Sequence, residues 1–386
     1  MRILLLTGEH PEVAGTNGGI GTFVALAADA LAGAGHDVHQ LVCAPGLPTV
    51  DRAADAGRAA LHVRPVVAGL RLARGRGPRL AAIAASCRWH ARQLGPFDVM
   101  EAPDFHGLGA LLPADRTVIQ LQTPAAVIAR EDPRDRPPTR GMTWLEQRSV
   151  RRAADVVSIS ELLVDELRTM GWLAADQAVG LALPIADLTS PPLPPAAGPP
   201  TVLGIGRLEP RKGFDLLIEA VAALGRPDVR LELVGADTPD ARGGSWGATL
   251  QRQADASGVD LVRLGQVDRT GVADALRRAA VVAIPSTFDS FNLGGLEALA
   301  AGRPVVLSTR VGLAERDTGD GALVVVDRSA AAFAVAIDRV LAAPPAERTA
   351  TASAARRLAE RFDPVSFATD RVARYASLAA PAVEVR

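Results

Sequence analysis

Lysine is almost absent from this sequence. Lysines and arginines together number 42, and a single one of them, Lys212, is a lysine. The two cysteines, Cys43 and Cys87, cannot build a disulfide framework and form no metal-type cluster. No apolar run approaches the ~20 residues of a membrane-spanning helix. The early run "RILLL" is too short for a signal peptide and predicts a first strand, so we expect a cytoplasmic protein.

The remaining composition is that of a globular protein, with 48% hydrophobic and 22% charged residues. The net charge is −1, whereas a nucleic-acid-binding protein carries a basic excess. A chain of 386 residues exceeds the size at which one hydrophobic core keeps growing. Two domains of roughly 150–200 residues are therefore expected.

Short apolar runs alternate with amphipathic helical stretches. Strands are predicted at "RILLL", "DVHQLV", "FDVMEA", "TVIQLQ" and "DVVSIS", and again at "TVLGIG", "RLELVG", "VVAIPS" and "PVVLS". Strands separated by helices indicate parallel sheets built from βαβ units. Six prolines at 188–200 interrupt the pattern and predict a linker. We therefore predict doubly wound α/β domains at 1–187 and 201–363, with a last helix at 364–386.

Ligands of such sheets bind outside the carboxyl ends of the strands, so loops after strands are the informative ones. The loop "GTNGGIGTF" places Gly18 and Gly19 before a helix. Glycines let backbone amides approach an anion, and a helix N-terminus adds partial positive charge. The spacing matches neither the dinucleotide-binding nor the P-loop motif, and a flexible turn explains the glycines equally well.

The single lysine stands in a second loop of this kind. Arg207 and Lys212 lie between the predicted strand "TVLGIG" and the helix "GFDLLIEAVAAL". Arginine can bind phosphate oxygens as a fork, and lysine acts as a compact point charge, so the pair can hold a diphosphate. The alternative is a solvated lysine, but a cation at a helix start opposes the helix dipole.

A third loop, in "IPSTFDSFNLGGLEALAAG", carries two acids. Asn292, Leu293 and Gly294 can present backbone amides at a helix start. Glu297, about one turn inside that helix, can accept two hydroxyls of a ribose, and Asp289 can accept a sugar hydroxyl. Paired carboxylates also serve as the acid and base of hydrolases, although the cationic loop argues against that use.

These motifs resemble those of the family 4 retaining glycosyltransferases. "GRLEPRKG" resembles their G-R-L-x-x-x-K-G motif. "PSTFDSFNLGGLEALAAGRPVV" resembles their P-S-x-x-E-x-F-G-x-x-x-x-E-A-x-A-x-G-x-P-V-V segment, with Asp289 in place of its first glutamate. "NGGIGT", "FDVMEAPDFHG" and "ADVVSIS" also stand where such enzymes have like segments, so the resemblance spans nearly the whole chain.

The resemblance implies the GT-B architecture, in which two Rossmann-like doubly wound domains face each other across a cleft. The C-terminal domain would bind a nucleotide-diphosphate sugar and the N-terminal domain the acceptor, with the last helix packing back on the N-terminal domain. Arg207 and Lys212 would bind the diphosphate and stabilise it as the leaving group. Together with Asp289, which would contact the donor sugar, they form the predicted catalytic set.

The same resemblance assigns the remaining donor contacts. Gly18 and Gly19 would approach the phosphates, Glu297 would hold the ribose, and Val267, in the loop after "RLGQ", would lie beside the base. No metal ion and no cofactor are implied. Among the donor nucleotides, we expect UDP or GDP rather than ADP or dTDP.

One position departs from the family pattern. Many relatives have a histidine where this chain has Gln122, in "TVIQLQTP". Glutamine donates hydrogen bonds but cannot shuttle a proton. Activity can survive this change, because the leaving phosphate is thought to accept the proton of the acceptor in this type of transfer. His10, Asp104 and His106 are further candidates for sugar or acceptor contacts, and the histidines can equally be surface residues.

The acceptor is less well specified. Between Arg58 and Arg92 the sequence has eight arginines and no acid, which favours either an anionic membrane surface or a mobile loop whose arginines pair with acids elsewhere. We expect a small-molecule acceptor, as in secondary metabolism, and a homodimer is compatible with the sequence. The alternatives are a membrane-associated transferase with a lipid or glycan acceptor, and a nucleotide-sugar-binding protein with altered catalysis.

Overall fold

A computed structural model describes residues 1–13, 18–55, 57–67, 76–131, 137–177, 179–181, 198–239 and 243–379. The chain divides into an N-terminal unit (Met1–Arg130, Arg136–Ala186 and Phe362–Arg386) and a C-terminal unit (Glu131–Asp135 and Asp187–Arg361). The predicted linker lies outside the described residues as far as residue 197. In the part of the chain described, no helix combines the length and apolar character needed to cross a membrane.

The N-terminal unit is built on an eight-stranded sheet. Its strands are β1 (Arg2–Thr7), β2 (Asp37–Cys43), β3 (Val50–Arg52), β4 (Ala60–Arg64), β5 (Val99–Pro103), β6 (Thr117–Gln120), β7 (Asp155–Ser158) and β8 (Gly180–Leu181). They lie in the order β3-β4-β2-β1-β5-β6-β7-β8, and the pair β3–β4 alone is antiparallel. Its helices are α1 (Gly19–Gly33), α2 (Arg76–Leu94), α3 (Ala125–Glu131), α4 (Arg140–Arg152) and α5 (Glu161–Thr169).

The C-terminal unit has a wholly parallel six-stranded sheet. Its strands are β9 (Thr201–Ile205), β10 (Arg230–Val234), β11 (Asp260–Gly265), β12 (Ala279–Ile284), β13 (Val305–Ser308) and β14 (Leu323–Val326). Their order is β11-β10-β9-β12-β13-β14. Its helices are α6 (Phe214–Ala223), α7 (Trp246–Ser257), α8 (Arg269–Arg278), α9 (Leu293–Ala300), α10 (Ala330–Ala342) and α11 (Pro345–Glu360).

Both sheets have the doubly wound order of a Rossmann fold. The chain moves outward from β9 through β10 to β11, then returns to the other side of β9 at β12. The N-terminal sheet does the same from β1, with the return at β5. The prediction of two Rossmann-like α/β domains is confirmed. Each sheet has a switch point, beside β9 and β12 or beside β1 and β5, where ligands of such folds bind.

Several elements are not among those predicted, namely β3, β4, β8, α3, α5 and α11. β3 precedes the arginine-rich stretch and forms the edge of the sheet. β4 lies within that stretch, between β3 and β2, and His62 and Arg64 interrupt its apolar residues. α11 buries mainly alanines, so its sequence lacks the strong apolar periodicity by which helices are recognised.

The last helix, α12 (Pro364–Ala379), is part of the N-terminal unit. Its Phe367 packs edge-on against Phe23 of α1, with ring centroids 6.3 Å apart. Arg371 is completely buried and donates hydrogen bonds to Glu101 (2.6 Å) and to Gln120 (2.8 Å). These contacts fasten α12 to strands β5 and β6. The two cysteines are free and buried in the same unit.

Candidate functional site

The loop after β9 is held in place by glycine. Gly213, between the 3-10 turn Pro210–Lys212 and α6, has a φ of 70°. A Cβ on this residue would lie 2.2 Å from the carbonyl oxygen of Pro285, at the end of β12. Only glycine allows this approach. The two loops at the C-terminal switch point are thereby brought into contact.

Lys212 and Asp289 meet at this point. The Lys212 Nζ donates to Asp289 Oδ2 at 2.5 Å, and the two side chains are only 14% and 12% exposed. Burial lowers the pKa of Lys212 despite the attraction of Asp289. Burial alone would raise the pKa of Asp289, but the attraction of Lys212 and Arg211 outweighs it and the pKa is lowered. The structure thus unites two predicted catalytic residues as an ion pair.

Arg207 is oriented by a residue that the sequence analysis did not single out. Glu209 pairs with Arg207 at 3.1 Å and with Arg211 at 2.6 Å. Arg211 also donates to the carbonyl oxygen of Phe288 at 2.7 Å. The Arg207 side chain stays 61% exposed, so its guanidinium is free to meet an anion from solvent. Glu209 and Arg211 stand inside the same motif, but only the fold shows that they face each other.

Asn292 organises the loop after β12. It has a φ of 84°, its Oδ1 accepts from the Gly295 amide (2.8 Å), and its Nδ2 donates to Asp289 (2.9 Å). The Gly295 amide is therefore already hydrogen-bonded, so fewer backbone amides at this helix start are left to bind a ligand. Leu293 and Gly294 begin α9, where a Cβ on Gly294 would lie 3.0 Å from Ile205.

Glu297 lies further along α9. Burial raises the pKa of its carboxyl group, with Arg269 acting in the opposite direction. No described residue donates a hydrogen bond to it, so its oxygens are left for another partner. Val267, the predicted neighbour of the base, follows β11 and packs against Gly271 at the start of α8. It is half-buried and lies two strands from β9.

The switch point of the N-terminal unit contains an unexpected carboxylate. Glu9 follows β1, and its Oε1 accepts from the Gly21 amide of α1 at 3.0 Å. A Cβ on Gly18 would lie 2.3 Å from both carboxylate oxygens. Glu9 therefore occupies the helix start at which Gly18 and Gly19 are predicted to meet phosphates. A phosphate at this helix start would meet the negative charge of Glu9.

We expect Gly21→Ala to lower the free energy of unfolding of the N-terminal unit by about 1–3 kcal/mol, because it overpacks a close backbone contact. A Cβ at this position would lie 2.7 Å from the carbonyl oxygen of Glu9. Gly19→Ala is the matched control, since nothing lies within 4 Å of its Cβ and alanine favours helix. Urea unfolding followed by tryptophan fluorescence measures both, and equal stabilities would contradict the packing argument.

Asp104, Gln122 and His106 come together after β5 and β6. Asp104 is fully buried, and its Oδ1 accepts from the amides of Gln122 (2.9 Å) and Phe105 (2.7 Å). Its Oδ2 has no hydrogen-bond partner among the described residues. His106 has a φ of 64° and stacks on Phe105. Three of the four candidates for sugar or acceptor contacts thus form one cluster.

Glu146 of α4 completes this cluster and was missed. Its Oε1 accepts from the amides of His106 (3.0 Å) and Ala125 (3.1 Å), so it joins the loop after β5 to the start of α3. The helix buries Met142, Leu145, Glu146, Ser149 and Val150. Glu146 therefore lies on the apolar face of α4. An acid on the apolar face of an amphipathic helix is the sequence signal by which Glu146 could have been found.

Burial raises the pKa of Asp104 to about 7, and Glu146 adds to the shift. The folded state therefore holds a proton that the unfolded state releases above about pH 4. Stability should fall as pH rises from about 4 to 7, by at most about 1.4 kcal/mol per pH unit, and then level off. We expect Asp104→Asn to remove this dependence. Urea midpoints of both proteins between pH 4.5 and 8 test it, and parallel curves would contradict it.

His10 is not the surface residue that the sequence allowed. It is 1% exposed, its Nε2 lies 3.1 Å from Gln40 Oε1, and its Nδ1 accepts from the Glu12 amide. Burial lowers the pKa of the ring. A sugar or acceptor could reach it only after rearrangement of its surroundings.

The arginine-rich stretch is partly described. Arg71 and Arg74 lie outside the described residues, and nothing is described of the Arg76 side chain. Arg58 pairs with Glu12, and Arg64 pairs with Asp51 at 2.7 Å. For these two arginines, the structure agrees with the alternative in which arginines of the stretch pair with acids elsewhere in the chain.

Comparisons with known families cover most of the chain. Residues 18–181 match the family described as "Glycosyl transferase 4-like domain", and residues 199–343 match "Glycosyl transferases group 1". The matched regions contain the predicted site residues from Gly18 to Glu297, and Glu9 lies before the first of them.

Two relatives are D-inositol 3-phosphate glycosyltransferases. The protein from Jonesia denitrificans is 29% identical over 74% of this chain and 73% of its own length. The protein from Kineococcus radiotolerans is 38% identical over 42% of this chain, and the match spans only 40% of that relative. A glycogen synthase from Mycobacterium tuberculosis is 33% identical over 45% of this chain and 42% of its own length.

Two solved structures are similar over nearly the whole chain. The sucrose-phosphate synthase from Thermosynechococcus elongatus has a TM-score of 0.81 at 22% identity and covers 98% of both chains. The Anabaena protein HepE in complex with UDP has a TM-score of 0.68 at 19% identity, over 98% of this chain and 100% of its own. These similarities and the strand order of both sheets show that the chain has the GT-B fold. The two matched families show that it belongs to the family 4 glycosyltransferases.

Proposed function

We propose that the protein is a retaining glycosyltransferase that moves a sugar from a nucleotide-diphosphate donor to a small-molecule acceptor. The observation that carries this proposal is the arrangement of Arg207, Lys212, Asp289 and Glu297 at the switch point of the C-terminal sheet. It combines two cations with two acids that are able to accept hydroxyl hydrogen bonds. A nucleotide-diphosphate sugar needs both kinds of contact.

The diphosphate contacts follow from exposure and charge. Arg207 presents an exposed fork, and Lys212 presents a compact charge in a nearly dry position. Electrostatic stabilisation is strongest where water is excluded. When a donor binds, the Lys212 ammonium would donate hydrogen bonds to both Asp289 and a phosphate oxygen. The two cations would then neutralise the diphosphate as it leaves the sugar.

Glu297 and Asp289 would hold the two ends of the donor. Glu297 has no hydrogen-bond donor among the described residues, and a ribose offers two adjacent hydroxyls. Asp289 is fixed by Lys212 and Asn292, so a sugar hydroxyl would meet an oriented acceptor. We propose UDP or GDP as the nucleotide, and the UDP bound to the structurally similar HepE supports testing UDP first.

Transfer with retained anomeric configuration would require no proton transfer by Gln122. The acceptor oxygen would bond to the anomeric carbon as the bond to the diphosphate breaks, and its proton would pass to a leaving phosphate oxygen. Gln122 need only donate a hydrogen bond to the sugar, which its amide can do. We propose a polyhydroxylated acceptor, because relatives are named for inositol 3-phosphate and sucrose phosphate.

A two-step experiment tests this function. The first step measures thermal stabilisation by UDP, GDP, ADP and dTDP, and we expect one of the first two to give the largest shift. The second step incubates the protein with the matching nucleotide sugars and with inositol, inositol 3-phosphate, hexose phosphates or natural-product aglycones. Transfer with retained anomeric configuration, read by NMR, supports the proposal. Nucleotide binding without transfer to any acceptor would favour a catalytically altered binding protein.

A further inference from the structure

The C-terminal unit contains a cavity at the edge of its sheet opposite to Lys212. Its volume is about 350 Å³, within the range of about 300–1,000 Å³ typical of small-molecule sites. The walls are formed where β9, β12 and β14 begin, by the end of α10 and by α11, and include Pro200, Ala280, Leu323, Leu341 and Ala352. Arg207, Lys212 and Asp289 follow the carboxyl ends of the strands. The cavity is therefore separate from the site described above.

Three arginines line this cavity. Arg303 is 4% exposed, and its Nε donates to the carbonyl oxygen of Leu276 at 2.9 Å. Arg339 at the end of α10 and Arg348 in α11 lie at the exposed rim. Within the described ranges, neither rim arginine forms an ion pair or a side-chain hydrogen bond. Their guanidinium groups therefore remain available to an anion.

The acids of the lining do not cancel this charge. Asp317 and Glu347 are the acidic residues of the wall, against the three arginines. Asp317 is already engaged, since its Oδ1 accepts from the Gly319 amide at 2.9 Å. The lining thus keeps an excess of positive charge beside apolar side chains such as Leu323 and Leu341.

We propose that this cavity binds a small amphipathic anion, a carboxylate or phosphate group joined to an apolar body. Arginine forks match the planar oxygens of a carboxylate and the oxygens of a phosphate. The head group would contact Arg339 and Arg348 at the rim, and the body would lie against Leu323 and Leu341. This inference does not depend on the proposed sugar transfer.

Isothermal titration calorimetry of the full chain tests the proposal with four probes. Octanoate and hexyl phosphate carry both head and body, octanol lacks the charge, and inorganic phosphate lacks the body. We expect one-to-one binding of octanoate, hexyl phosphate or both, at least tenfold tighter than binding of either control. Which of the two binds more tightly identifies the head group. Failure of both amphipathic probes to bind would overturn the proposal.

Variants locate the binding. Arg339→Gln combined with Arg348→Gln should weaken binding at least tenfold, and Ala352→Phe, which places an aromatic ring in the cavity wall, should weaken it by at least as much. Arg357→Gln is the matched control, because Arg357 lies exposed on α11 and outside the cavity lining. Thermal melts establish that each variant is folded. Binding that persists in the double variant, or that saturating UDP abolishes, would place the probe elsewhere and overturn the assignment.

Discussion

Lys212→Met should lower sugar transfer by about 10²–10³-fold, the loss typical of removing one preorganised electrostatic contact. It should also remove the thermal stabilisation given by the bound nucleotide. Methionine keeps an unbranched side chain and removes the ammonium group, with its charge and its hydrogen-bond donors. The steady-state rate with the donor that the nucleotide screen selects, and the nucleotide-dependent thermal shift, measure the two effects. Unchanged transfer would contradict the assignment of Lys212 to the diphosphate.

Two further variants distinguish a role of Lys212 in binding the diphosphate from a purely structural role as the partner of Asp289. Lys212→Arg keeps the charge but replaces a compact ammonium, packed close to Gly206 and Asp289, by a planar group. We expect it to recover little activity. Lys212→Met with Asp289→Asn removes the unpaired buried carboxylate that the single variant leaves. If Lys212 acts only by stabilising the fold, the double variant should regain both stability and nucleotide binding. If Lys212 binds the diphosphate, the double variant should regain stability but not nucleotide binding.

Glu101→Ala should reduce the free energy of unfolding of the N-terminal unit by about 3–5 kcal/mol, because it leaves a buried charge without its partner. Arg371 is 0% exposed, and Glu101 accepts hydrogen bonds from it and from Tyr375 (2.5 Å). Urea unfolding followed by tryptophan fluorescence is suitable, since three of the four tryptophans, Trp89, Trp144 and Trp172, lie in this unit.

The same helix supplies a control for this prediction. Arg374 pairs with Asp155 at 2.7 Å, but their side chains are 32% and 18% exposed. Asp155→Ala should therefore cost only about 0–1 kcal/mol. Replacing Glu101 and Arg371 together by leucine should cost less than Glu101→Ala, because no charge remains unpaired. Equal losses in Asp155→Ala and Glu101→Ala would mean that burial does not set the cost.

Much of the fold followed from periodicity alone. Apolar strands separated by amphipathic helices predicted two parallel sheets, and both have the doubly wound order. The arginine-rich stretch was not recognised in the same way, because β4 is only five residues long and His62 and Arg64 interrupt its apolar residues. The apolar pattern is weak where a helix buries mainly alanine, as in α11, or where polar residues interrupt a short strand, as in β4.

By itself, the sequence determined which residue types stand in the loops after the strands. Arg207, Lys212, Asp289 and Glu297 could be named there, because loops at the carboxyl ends of parallel strands carry the ligand contacts. Tertiary structure alone decided which groups touch. It paired Lys212 with Asp289, placed Glu9 at the start of α1, and buried Glu146 and Asp104 in one cluster. These contacts join residues far apart in the chain, and hydrogen bonding and pKa depend on distance and burial, which spacing along a sequence does not contain.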